Sequence, residues 1–330
     1  AVYADMDLTP EDDGPPTAVP EGEVDAFLQV VEALQTSTRA FHSQCPRDEW
    51  HTTLERVGKA VETMGAMLLA DTNPTRLQSL LFPVSGSAFS AVIAYLTARP
   101  KKSPGAESTD DAESAFAKLR GLMFQALTNL ISLCSQDHLV SEEEPQDGVY
   151  PELSRRCCQS IMSERGVEAM LAVIKSKESP EVLRVAAVEC LFVFVVRNGH
   201  GRSAFAEGGW IPQLLTHLQV ESCPVIRNFI CAILREFANQ HAASLVECQY
   251  FHPSVALVQN DPSPDVRALT TETLDCIFKV RPRSFASFPA KAALVEAVRQ
   301  RLSSEQSADV LNAVFRMLET VFAIEGFAYP

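Results

Sequence analysis

Four leucines, Leu191, Leu234, Leu274 and Leu318, stand 43, 40 and 44 residues apart, and their surroundings repeat with them. Three of the repeated segments open on a proline: Ser179-Pro-Glu-Val-Leu-Arg184, Cys223-Pro-Val-Ile-Arg227 and Ser263-Pro-Asp-Val-Arg267. Proline fixes φ and lacks an N–H, so a helix tolerates it only in the first turn, and each proline marks a helix start. A shorter apolar pattern comes before: Val167, Met170, Leu171 and Ile174 match Ile211, Leu214, Leu215 and Leu218, each 44 residues later. A unit of this length cannot bury its apolar face alone and must stack on its neighbours. The chain is therefore predicted to be an all-α solenoid of roughly five units.

Helical spacing extends to the N-terminal side. Val24, Phe27, Leu28, Val31 and Leu34 share one face, and Trp50, Leu54, Val57, Val61, Met64 and Leu68 form a second stripe. Further helices are predicted over 75–82, 87–98, 112–135, 151–163, 167–176, 181–198, 209–219, 224–240, 264–280, 290–302 and 306–323. The expected organisation is an acidic tail without fixed structure over 1–22 and an N-terminal helical cap of divergent repeats over 23–98. A linker follows over 99–111, then the repeats over 112–324 with an acidic insertion at 135–150, and a C-terminal tail over 325–330.

Charge narrows the partners. The chain carries 42 acidic against 28 basic residues, a net charge of −14, and no Lys or Arg precedes Arg39. It lacks the broad positive field that a phosphate backbone requires, so nucleic acid is excluded as the primary ligand. The most apolar stretch, Val185–Val196, is too short to cross a bilayer. Nine cysteines are an odd number and mostly occupy apolar helical positions, which points to reduced thiols and a cytoplasmic protein.

Ala204-Phe-Ala-Glu-Gly-Gly-Trp-Ile-Pro-Gln-Leu-Leu-Thr-His-Leu218 resembles the start of an armadillo repeat. Ala126-Leu-Thr-Asn-Leu130 resembles the end of an armadillo third helix, and Asp261-Pro-Ser-Pro-Asp-Val-Arg267 is nearer the related HEAT pattern. The resemblance covers 112–324. It implies a right-handed superhelix whose third helices line a concave face, and a non-catalytic scaffold or adaptor in a transport, cytoskeletal, ciliary or chaperone-linked assembly. Armadillo proteins that hold extended peptides carry an Asn two residues after the third-helix Leu, and here that position holds Asn129, Val193, Glu236, Cys276 and Thr320. One turn earlier stand Gln125, Glu189, Ala232, Glu272 and Arg316. This inner face is expected to be polar and mildly acidic and to take a protein segment of some basic character. A solvated inner face, with a structural subunit held through the convex surface and the insertions, is the competing reading.

Arg184, Arg227 and Arg267 recur at one repeat position but lie nine residues before the Asn-equivalent sites, half a turn away, so they cannot share that face. Inter-repeat ion pairs with turn acids such as Glu181 or Asp265 are expected instead. A different function is raised by Leu191–Val196 followed by Gly199, Gly201 and Ala204, with the strand and GxGxxA spacing of a dinucleotide turn. The register of Leu191 with the other leucines argues against it and makes the glycines a helix C-cap and turn. Cys157 and Cys158 adjoin Arg155 and Arg156, which can activate a thiol, but they occupy a position where small buried residues are expected. His217 is expected on a helix surface. No cofactor or metal motif is present in the sequence.

Overall fold

The computed structural model describes residues 110–135, 149–286 and 291–324 without a break, together with scattered positions between 29 and 96. The predicted tail at 1–22, most of the cap, the linker up to 109, most of the acidic insertion and the C-terminal tail lie outside the described residues.

Helix α1 (Asp110–Cys134) is followed by α2 (Val149–Ser163), α3 (Gly166–Lys175) and α4 (Glu181–Arg197). Next come α5 (Gly199–Glu207), α6 (Ile211–Leu218), α7 (Pro224–Glu247), α8 (Phe251–Asn260) and α9 (Pro264–Val280). The chain then forms α10 (Pro282–Ala286), α11 (Lys291–Ser304) and α12 (Ala308–Ile324). Each third helix packs on the next, in the order α1, α4, α7, α9, α12. The shorter α3 and α8 cover α4 and α9, and α8 continues onto α11 in the outer layer. Among the described residues the fold is all-α, a stacked solenoid in which the four reference leucines occupy equivalent places.

The register follows from side-chain chemistry. Leu191, Leu234 and Leu274 are fully buried, and one continuous core runs from Leu81 and Phe89 through Phe194, Phe237 and Phe278 to Met317. Arg120 donates to the Leu96 carbonyl at 3.1 Å, tying α1 to the chain before it. Prolines 224 and 264 sit in the first turns of α7 and α9, where their missing N–H costs nothing.

Several expectations need correcting. The helix expected over 224–240 does end there, at His241, whose φ of −125° and ψ of 34° form a kink, but a short helical continuation not expected from the sequence then runs to Glu247. That short continuation and α8 supply the first two helices of the next unit, which sequence periodicity did not resolve. Gly199 and Gly201 are not a C-cap and turn: they open α5, and the Asn198 side chain caps it by accepting the Gly201 N–H at 2.8 Å. A Cβ at Gly201 would stand 2.6 Å from the Phe194 carbonyl oxygen, so this glycine permits helix-on-helix contact. Leu191–Val196 is helical, which removes the strand that a dinucleotide turn requires.

Candidate functional site

Residues spaced three, four and seven apart along a helix share one face. On α4 that face carries Val182, Val185, Ala186, Glu189 and Val193; on α7 it carries Val225, Phe229, Ala232 and Glu236; on α9, Leu269, Glu272 and Cys276. Because the third helices are neighbours, these rows form one surface, continued on α1 by Gln125 and Asn129 and on α12 by Arg316.

The predicted site residues behave differently from one another. Gln125, Glu189 and Arg316 are exposed and Asn129 is half-buried. Glu236 pairs with Arg202 of α5, and Glu272 pairs with Arg235 at 3.2 Å, so both carboxylates already have a cation. Glu189 has no cation within ion-pair distance among the described residues and is the carboxylate of this row that remains available. Val193 is buried, Cys276 is half-buried with its thiol pushed up by burial, and the buried Thr320 donates to Asp275 at 2.5 Å.

Sequence reading missed the apolar part of this face. Val182 is 81% exposed and Val225 46%, and both occupy the same repeat position in the first turn of a third helix. Phe229 lies one turn on from Val225, and its ring meets Phe192 of α4, both half-buried, with centroids 5.4 Å apart. Val182 lies seven residues before Glu189, two helical turns along the same face, and that spacing was the available signal.

The arginines form a separate structure on the turn ridge. Arg184, Arg227 and Arg267 pair with Glu221, Asp261 and Glu305, each in the loop before the next third helix. The expectation of inter-repeat pairs holds, but the partners are not Glu181 and Asp265, which lie in the first turns of the arginines' own helices. Each carboxylate also accepts a backbone N–H two residues on, from Cys223 at 2.8 Å, Ser263 at 2.9 Å and Ser307 at 3.2 Å. Each guanidinium additionally donates to a carbonyl ahead of its own helix: Arg184 to Ile174 near the end of α3, and Arg227 and Arg267 to Ser222 and Asp261 in the preceding loops.

This double use holds Glu305 low. Burial acts to raise its pKa, but Arg267 and the Ser307 and Gln306 N–H groups outweigh it and bring it to about 2. Glu221 is lowered in the same way, against its burial, by the Cys223 N–H and Arg184. His217 is buried rather than on the surface, its Nε2 2.8 Å from Glu221. Burial depresses its pKa, with Arg184 and Lys175 adding to the fall while Glu221 opposes it.

An open cleft of about 730 Å³ runs over this ridge beside Leu218, His252 and Asn260. The Arg227–Asp261 pair is part of its lining, and Arg227 spends four of its five N–H groups on Asp261 and two carbonyls. Cys157 and Cys158 are buried in α2, and burial raises both thiols, Cys158 to about 11, so the arginines beside them in sequence do not activate them. Arg155 pairs with Glu152 instead. Among the described residues no group of three or more His, Cys, Asp or Glu is placed to hold a metal, and no helix is long and apolar enough to cross a membrane.

No protein-family model matches the chain, and no curated protein matches it. Solved structures do. A designed armadillo repeat protein in complex with the peptide (KR)4 superimposes with a TM-score of 0.57 at 14% identity, covering 89% of this chain and 98% of that one. Computationally designed armadillo repeat proteins for modular peptide recognition give 0.56 at 13% identity, covering 88% and 98%. Raptor from Chaetomium thermophilum gives 0.52 at 12% identity, covering 95% of this chain and 27% of that one. At these identities the likeness is one of fold. The chain is an α-solenoid with the armadillo/HEAT repeat architecture.

Proposed function

We propose that the chain is a non-catalytic, protein-binding scaffold that seats an extended segment of a partner across the exposed face of its third helices. The observation that carries this reading is the occurrence of Val182 and Val225, two large exposed apolar side chains at one repeat position, on the same face as Glu189, which has no cation within ion-pair distance among the described residues. Isolated exposed valines are ordinary; aligned ones on stacked helices, beside a half-buried aromatic pair, make a row of seats at repeat spacing. The segment that fits has apolar side chains for α4 and α7 and a basic side chain for Glu189. The fold neighbour that holds a (KR)4 peptide supports a basic contribution. The free and largely buried cysteines fit a reducing, cytoplasmic setting, and an adaptor role in a transport, cytoskeletal or chaperone-linked assembly follows from the same reading.

The test is a fluorescence-anisotropy titration of the full chain with two labelled peptides, one of alternating Lys and Leu and one of sequence (KR)4. The Lys–Leu peptide is expected to bind more tightly. Val182→Asp with Val225→Asp is expected to weaken it about ten-fold although these changes add negative charge, and Glu189→Lys to weaken both peptides. Equal affinity of the two peptides for all variants means that only the net charge of −14 is being measured, and overturns the reading.

A further inference from the structure

The outer layer carries a surface without exposed carboxylates, ammonium groups or guanidinium groups. From Gly208 to Val225, across α6 and into α7, the acidic and basic residues other than histidine reduce to Glu221. From Gln249 to Pro264, across α8 and into α9, they reduce to Asp261. Both carboxylates are buried, and they are spent on Arg184 and Arg227 and on the N–H groups of Cys223 and Ser263. What α6 and α8 expose instead is Gln213, Thr216, His252 and Ala256, and Val220 is 63% exposed in the loop after α6. The outer helices on either side differ: α3 exposes Lys175, and α11 exposes Glu296 and Arg299. The solvated face of a helix ordinarily carries charge, whereas the centre of a protein–protein interface is depleted of it.

The cleft of about 730 Å³ opens in the middle of this surface. Helix α8 packs along α11, but α6, only 8 residues long, does not pack along α8 in the same way, and the cleft lies between them. Its volume falls in the range of about 300–1,000 Å³ usual for sites that hold a ligand. Pro224, Ala256, Leu257 and Pro262 supply apolar wall. Gln219 and Asn260, both exposed, stand along it, and the Ser263 side chain, also in the lining, caps no N–H of α9. An amide side chain offers both a donor and an acceptor, the complement of a main-chain peptide group.

Charge decides what fits. A basic side chain entering the cleft finds Glu221 and Asp261 already neutralised by arginines, and an acidic one finds Arg227 already committed to Asp261. Either would be desolvated without a counter-ion of its own, a cost that an uncharged segment avoids. The neutral surface also runs past the cleft to Gln213, Thr216 and Val220, further than a small molecule reaches, which favours a protein segment.

We propose that the cleft between α6 and α8 is a second docking site, for an uncharged extended segment of a partner protein. The segment lays an apolar side chain against Ala256 and Pro224 and pairs its main-chain amides with Gln219 and Asn260. Arg227, in the cleft, follows Val225 by two residues, roughly half a helical turn, so this site and the third-helix face lie on different sides of α7 and fill independently.

Fluorescence anisotropy of the full chain tests this with three end-blocked, labelled octapeptides in which Leu alternates with Ser, Glu or Lys. The Ser–Leu peptide is expected to bind. Ala256→Arg, which keeps a good helix former while filling the cleft and charging it, is expected to weaken that binding about ten-fold, and Gln219→Ala with Asn260→Ala to weaken it as well. Val182→Asp with Val225→Asp is expected to leave the Ser–Leu peptide unaffected, while Ala256→Arg leaves the Lys–Leu peptide on the third-helix face. Loss of one site is thereby told apart from loss of the other, and circular dichroism checks that each variant keeps its helices. A native chain that does not bind the Ser–Leu peptide overturns the proposal, as does binding that Ala256→Arg leaves unchanged. Displacement of the Ser–Leu peptide by the Glu–Leu or Lys–Leu peptide at equal or lower concentration overturns it too, because the cleft then accepts charge.

Discussion

The Asp261 carboxylate joins two units at once: its Oδ2 and Oδ1 accept from Nε and Nη2 of Arg227 at 2.9 and 3.1 Å, while Oδ1 also accepts the Ser263 N–H at 2.9 Å. Arg227 belongs to α7, and Ser263 is the N-cap position of α9. The same side chain therefore neutralises a buried guanidinium of one unit and satisfies an otherwise unpaired helix N-terminus in the next.

Removing that carboxylate leaves Arg227 buried without its counter-charge. Asp261→Ala is expected to destabilise the fold by about 3–5 kcal/mol, the range for breaking one side of a buried pair. Replacing both partners, Asp261→Ala with Arg227→Met, is expected to cost less than the single change. Urea unfolding followed by circular dichroism measures both, and a single variant as stable as the parent would sink the view that this ridge clamps the units together.

Acid stability follows from Glu305. Its pKa lies near 2 in the folded protein against an ordinary 4.5, so the unfolded chain takes up the proton first as pH falls. The stability it contributes is complete above 4.5 and is lost progressively from there towards about 2, and Glu221 adds in the same direction. Glu305→Gln is expected to lower stability near neutral pH and to flatten the decline below 4.5. Urea midpoints from about pH 6 to about pH 2 reveal it; an unchanged slope in the variant contradicts the assignment.

A second pH window belongs to His217. Burial lowers its folded pKa below 6.5, so between that value and the folded pKa the unfolded state binds the proton and the folded state does not. Stability is then expected to fall as pH drops below 6.5, because burial, aided by the nearby Arg184 and Lys175, outweighs the Glu221 carboxylate beside the ring. Proton NMR of the His217 ring checks the folded pKa directly, and His217→Asn is expected to remove this component of the pH dependence. A titration midpoint above 6.5 reverses the sign and refutes the argument.

The architecture was legible because leucine spacing and proline starts are local signals that stacking amplifies. What escaped was decided by contacts across units. Nothing in the sequence near Arg184 names Glu221, 37 residues on, as its partner in place of Glu181, three residues before it. His217 looks like a surface residue until Glu221 supplies a reason to bury it. The repeat register names the residues of the third-helix face but not their character: Glu236 and Glu272 count as negative in sequence and are paired with arginines in space, while Val182 and Val225 read as ordinary helix residues and are exposed.

The two glycines that imitate a phosphate-binding turn separate the packing explanation from the nucleotide one. Gly201 sits where a Cβ would approach the Phe194 carbonyl oxygen to 2.6 Å and its ring to 2.8 Å, whereas a Cβ at Gly199 meets nothing within 4 Å. Gly201→Ala is expected to cost about 1–3 kcal/mol, because α5 must shift away from α4 or strain the Phe194 rotamer. Gly199→Ala, on an exposed first-turn position, is expected to stay within about 0.5 kcal/mol of the parent. A turn that cradled phosphate would need close backbone approach at both glycines, and saturating ATP or NAD would then raise the melting temperature. Differential scanning fluorimetry of the parent and both alanine variants, with and without these nucleotides, is expected to show the Gly201 penalty and no nucleotide shift. A nucleotide-dependent rise that disappears in Gly199→Ala would instead establish a ligand site at the start of α5.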